Sequence, residues 1–152
     1  MGLDFGVYYR KKNAYTEDDF DANQLCYGRK CWELVHIMEY DTEGSCNYEI
    51  TEDMWNKVIK AIEPIGDKLP AIREAFDKAR YEPEDFGELI LTRDDKKLIA
   101  EYEYWYNRTF EESPCLGYDF SVWYMLDFWE ARDKVKQYFD DPDYEVWCYA
   151  SY

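Results

Sequence analysis

The sequence predicts an α+β fold, with about four or five helices packed on a small sheet that pairs the N- and C-terminal strands. Three observations predict it. Aromatic-rich segments at both ends read as strands, while the intervening stretches carry apolar residues at helical spacing. At 152 residues, with no internal repeat and no low-complexity linker, the chain is expected to form a single domain over residues 1–152. A chain of that length buries about two-thirds of its surface, enough for a core without disulfide staples.

In order along the chain, Leu3 to Arg10 is read as the first strand through Val7, Tyr8 and Tyr9. Asn13 to Asn23 is polar and acidic and is read as a loop. From Leu25 to Tyr40, the positions Cys31, Leu34, Val35 and Met38 recur at helical spacing, so a helix is expected there. Asp41 to Ser45 is a turn-like break.

Thr51 offers an N-cap, with Glu52 and Asp53 where the helix dipole favours acids, and Met54, Trp55, Val58, Ile59 and Ile62 line one face. Pro64 and Gly66 end that helix. A second begins at Leu69-Pro70 with the stripe Leu69, Ile72, Ala75, Phe76 and Ala79, so the pair forms a helical hairpin. Leu89 to Thr92 is read as a short strand. Asp94 to Phe110 is a helix with Leu98, Ile99, Tyr102, Trp105, Tyr106 and Thr109 on a broad face. Ser121 is expected to cap a last helix, Val122 to Phe139, apolar almost all round in its first half and therefore central and buried. Tyr144 to Tyr152 is the final strand.

Thirty-four acids against eighteen bases give a net charge of -16. Such a chain is repelled by phosphate backbones and anionic lipid, so direct nucleic-acid binding and membrane binding are not expected, and basic protein surfaces are the favoured partners. No apolar run approaches the length of a membrane span. The cysteines Cys26, Cys31, Cys46, Cys115 and Cys148 are odd in number and follow no secretory pattern, which points to a reducing, cytoplasmic setting.

Cys26, Cys31, His36 and Cys46 are spaced too widely for the close ligand pairs of a zinc site, and a step of five residues on a helix rotates neighbouring ligands apart. No cofactor is expected. Asp140-Asp141-x-Asp143-x-Glu145 lacks the glycine and distal glutamate of a calcium loop. Nucleotide-binding, hydrolase and zinc-protease signatures are absent from the sequence, so the reading leans away from an enzyme.

Two groups of residues remain as candidate binding sites. Glu101, Tyr102, Glu103, Tyr104 and Trp105 alternate acids with aromatics, the composition of an interface that meets arginines. Arg29 and Lys30 form a local basic pair near His36, the sole histidine.

The opening Met1-Gly2-Leu3-Asp4, with its tyrosine-rich strand and Arg10-Lys11-Lys12, and the later Tyr27-Gly28-Arg29-Lys30 leading to His36, resemble a group of small phage and mobile-element proteins. The resemblance covers the first quarter of the chain, and Gly28 stands where that group has tryptophan. The group has no assigned activity. The resemblance implies a phage-like context in a bacterial cytoplasm, with Arg29, Lys30 and His36 as anion or partner contacts.

The expected function is therefore a small acidic interaction module that binds a basic protein surface, one form being an inhibitor whose carboxylates imitate nucleic-acid phosphates. The alternatives are a small enzyme or ligand-binding protein with its site around Arg29, Lys30 and His36, and a structural or assembly subunit.

Overall fold

The computed structural model describes residues 4–13, 22–38, 47–80 and 91–151. Strand β1 (Asp4–Lys11) lies between β2 (Gln24–Arg29) and β4 (Tyr144–Ser151), and the short β3 (Asn47–Glu49) flanks β4. Each neighbouring pair is antiparallel; the N- and C-terminal strands pair with each other, as the sequence predicts, and stand at the centre of the four-stranded sheet.

Register decides which side chains meet the helices. Phe5 stands opposite Gly28 and Ala150, and Val7 opposite Cys26 and Cys148. Because side chains alternate across a strand, these residues share one face, and all are buried. Phe5 stacks on Phe128 with ring centroids 6.0 Å apart, and Phe128 stacks in turn against Trp55 at 5.9 Å. On the opposite face Arg10 donates to Glu145 at 2.7 Å and lies 3.4 Å above the Trp147 ring.

The helices are α1 (Trp32–Ile37), α2 (Glu52–Ile62), α3 (Leu69–Arg80), α4 (Arg93–Phe110), α5 (Tyr118–Glu130) and α6 (Arg132–Asp140). Five of them are longer than two turns, and α1 is a six-residue helix, counting the described residues. The Thr51 hydroxyl accepts the Met54 N–H at 3.2 Å and starts α2 as expected. A 3₁₀ turn at Gly66–Lys68 joins it to α3, completing the hairpin. Gly66 has no room for a side chain, because the Trp129 ring occupies the space a Cβ would fill. Helix α5 packs against both α3 and β2 and is central as expected, but it is not buried all round. Phe120, Trp123, Asp127 and Glu130 form an exposed stripe, because among the described residues no other element covers that side.

Four further expectations need correction. The helix expected over Leu25–Tyr40 begins instead as β2, and among the described residues of that range only Trp32–Ile37 is helical. Pairing with β1 overrides local preference there: Cys26 and Gly28 become inward strand residues, and Lys30, at φ 53, turns the chain before α1. Ser121 does not cap α5. Gly117 holds that position, and Ser121 sits one turn inside, its hydroxyl donating to the Tyr118 carbonyl at 2.9 Å. The last helix is also divided at Ala131 into α5 and α6.

Leu91 and Thr92 form no strand. Thr92 is the N-cap of α4, in a reciprocal capping box with Asp95. Leu89, Ile90, the turn at Asp41–Ser45, Cys46 and most of the loop at Asn13–Asn23 lie outside the described residues.

Candidate functional site

Helix α1 is short, but its sequence orients it fully. Leu34 and Val35 are buried in the core, which leaves Glu33, His36 and Ile37 on the adjoining face, three and four residues apart. That face meets the C-terminal end of α4. There Tyr102, Trp105 and Tyr106 anchor the helix in the core, and Phe110, one turn beyond Tyr106, packs on its ring at 4.8 Å.

Glu111 ends α4 in the left-handed conformation, at φ 57, where glycine is the usual residue. The chain turns sharply at this point. The result is a cleft of about 250 Å³ lined by Glu33, His36 and Ile37 of α1, by Thr109 and Phe110 of α4, and by Glu111 and Glu112.

Glu33 is the chemical centre of this cleft. It is 5% exposed, and burial raises its carboxyl above the ordinary value, while the Tyr106 hydroxyl and the nearby His36 act in the opposite direction. Tyr106 donates its proton to Glu33 Oε1. Burial and the Glu33 charge push the Tyr106 phenol far above its usual range, so it remains the donor. Behind this pair, the Tyr102 and Ser121 hydroxyls are hydrogen-bonded at 2.8 Å.

Among the described residues no lysine or arginine forms an ion pair with Glu33, Glu111 or Glu112. The last carbonyls of α4 add partial negative charge at the same end. Ile37 and Phe110 supply apolar wall. This combination suits an elongated cation: carboxylates for a guanidinium or ammonium head, and apolar surface for its stem.

The sequence-predicted residues are distributed unevenly around this cleft. His36 lines it. Arg29 lies at the end of β2, its Nε 3.8 Å from Asp4, and Lys30 occupies the following turn; neither lines the cleft. In the acidic–aromatic group, Tyr102 is fully buried and Trp105 is 9% exposed, its indole donating to the Ala61 carbonyl at 3.1 Å. Both belong to the core face of α4. Glu101 pairs with Lys68 on the surface, and Tyr104, 64% exposed, accepts a hydrogen bond from Arg108. Glu103 is half-buried on the same helix.

Burial pushes the Cys31 thiol well above its ordinary value, so Cys31 is a protonated core thiol. Cys26 faces the core from β2, and among the described residues no group of His, Cys, Asp and Glu is arranged to hold a metal. Asp141 and Asp143 close a local turn, Asp143 N–H donating to Asp141 Oδ1 at 2.9 Å, while Glu145 is taken by Arg10.

Sequence reasoning missed Glu33, Tyr106, Phe110, Glu111 and Glu112. A signal for Glu33 existed: it is the one acid inside Trp32-Glu33-Leu34-Val35, three residues before the sole histidine. Nothing local linked it to Tyr106. No helix among the described residues is long and apolar enough to cross a membrane. No protein family, curated protein or solved structure matches this chain.

Proposed function

We propose that this protein is a small acidic interaction module that captures a basic segment of another protein, anchoring an arginine or lysine side chain in the α1–α4 cleft. The observation that carries this reading is the buried, tyrosine-bonded Glu33 at the base of a cleft rimmed by Glu111 and Glu112. A bidentate guanidinium matches such carboxylates better than an ammonium does, and Phe110 and Ile37 would cover its alkyl stem. The net charge of -16 steers a basic partner toward the cleft. An inhibitor that presents carboxylates in place of phosphates is the specific form in keeping with that charge and with the phage-like opening of the chain.

The test is a pull-down from nuclease-treated bacterial lysate, eluted with increasing salt, with wild type compared against a Glu33→Gln, Glu111→Gln, Glu112→Gln variant. A basic partner released by moderate salt from wild type and lost by the variant is expected, because exposed charge pairs are screened within about 8–10 Å at physiological salt. A partner that resists salt, or that the variant retains equally, would overturn the reading, as would an empty column. A nucleic-acid-handling partner would identify the mimic form.

A further inference from the structure

A second cleft, of about 200 Å³, opens where α5 meets α3 and the β2 edge, and it combines both signs of charge with aromatic walls. Tyr27 of β2 and Tyr124 of α5 meet edge to face, with ring centroids 6.2 Å apart and an interplanar angle of 79°, making an aromatic corner. Asp127 and Glu130 of α5 also line the cleft. Asp127 Oδ2 accepts the Tyr27 N–H at 2.8 Å, which fixes the carboxylate beside the corner.

The cation of the cleft is Arg73 of α3, whose guanidinium lies 3.4 Å from the centroid of the Trp123 ring. Stacking holds the guanidinium plane against the indole and leaves its in-plane N–H donors directed along the ring edge. Its recorded ion-pair partner, Asp77 Oδ2, is 4.0 Å from Nε, beyond hydrogen-bond reach. Arg80 continues the same α3–α5 seam over Phe120 at 4.6 Å, but its Nε pairs with Asp119 at 3.5 Å. Of these two stacked arginines of the seam, Arg73 is the one that lines the cleft.

We propose that this cleft binds a small zwitterion, its ammonium end in the Tyr27–Tyr124 corner beside Asp127 and Glu130 and its carboxylate on the fork of Arg73. Aromatic faces and carboxylates attract an ammonium group together, and they favour a methylated one, which needs no hydrogen-bond acceptors. A preorganised guanidinium takes a carboxylate in bidentate fashion. The two ends explain why opposite charges share one small cleft without neutralising each other. A free amino acid and a methylated betaine carry the same chemistry.

The test is calorimetric titration of the whole protein with glycine betaine, glycine, choline and acetate. Saturable binding of betaine or glycine is expected with a dissociation constant of about 1 mM or below, at least about tenfold tighter than choline or acetate. Tighter binding of betaine than of glycine identifies a methylated ligand, and the reverse a free amino acid. Arg73→Gln and Asp127→Asn should each weaken binding about tenfold, the asparagine still accepting the Tyr27 N–H. Absence of saturable heat with either zwitterion overturns the proposal. So does binding of choline or acetate equal to that of the zwitterions, or binding that survives Arg73→Gln unchanged.

Discussion

Tyr106, near the end of α4, donates its hydroxyl proton to Glu33 Oε1 on α1, a bond between residues 73 positions apart in the chain. The bond does two things at once. It satisfies a carboxylate that the core otherwise excludes from water, and it sets the separation of the two helices that wall the cleft.

Replacing Glu33 with glutamine separates stability from binding. Burial raises the Glu33 carboxyl, so the folded protein holds that proton more tightly than the unfolded chain does. Its neutral form favours folding below the ordinary value of 4.5, and that advantage is lost as pH rises through the raised folded value. Glutamine keeps an acceptor for Tyr106 and carries no charge. Glu33→Gln is therefore expected to melt higher than wild type at neutral pH, with the gap closing as pH falls below 4.5, while capture of a basic partner weakens. Thermal melts across pH, with parallel binding assays, check both halves.

Tyr106→Phe removes the donor and leaves the carboxylate. A buried polar group stripped of its partner costs about 1–3 kcal/mol. That loss is expected in denaturant unfolding at neutral pH. It should shrink toward acid, where Glu33 takes up a proton and no longer confines a charge.

Glu111 holds a left-handed backbone at φ 57, for which a residue with a Cβ incurs a penalty of about 1 kcal/mol. Glu111→Gly is expected to recover about that amount in urea unfolding. The same change removes a carboxylate from the cleft rim, so binding of an arginine-rich peptide should weaken as stability rises. A variant that is both less stable and unchanged in binding would count against the assigned role of Glu111.

Gly66 and Gly6 test the packing of the hairpin and of the sheet. A Cβ at Gly66 would enter the Trp129 ring, and one at Gly6 the Tyr149 ring that lies across β1. Overpacking of this kind costs about 1–3 kcal/mol, so Gly66→Ala and Gly6→Ala should each lower the denaturation midpoint by a corresponding amount. Because the two sites are in different parts of the fold, the double variant should show nearly additive losses.

Local rules made much of this fold legible. The Thr51 cap, the break at Pro64 and Gly66, the start of α3 at Leu69 and the periodicity of α4 depend on residues within one or two turns of each other. The central placement of α5 follows from the apolar residues on most of its circumference, although Phe120, Trp123, Asp127 and Glu130 leave it an exposed stripe. The pairing of the chain ends was legible from two aromatic-rich terminal segments, the second of them alternating, which need each other to complete a buried sheet.

Tertiary structure alone decided β2, β3 and the cleft. Gln24–Arg29 carries a helix-compatible sequence, and it becomes a strand because β1 offers it hydrogen bonds and α5 covers its inner face. Gly28 is needed there because the Cys31 sulfur and the Phe128 ring occupy the space of a side chain, a condition invisible until those residues arrive. Tyr102 and Trp105 have the composition of an interface yet lie in the core, whereas Glu33 sits in an apolar run and becomes the base of a polar cleft. Periodicity and capping are properties of neighbours in sequence. The partner of a buried carboxylate is a property of neighbours in space, and only the packed chain supplies those.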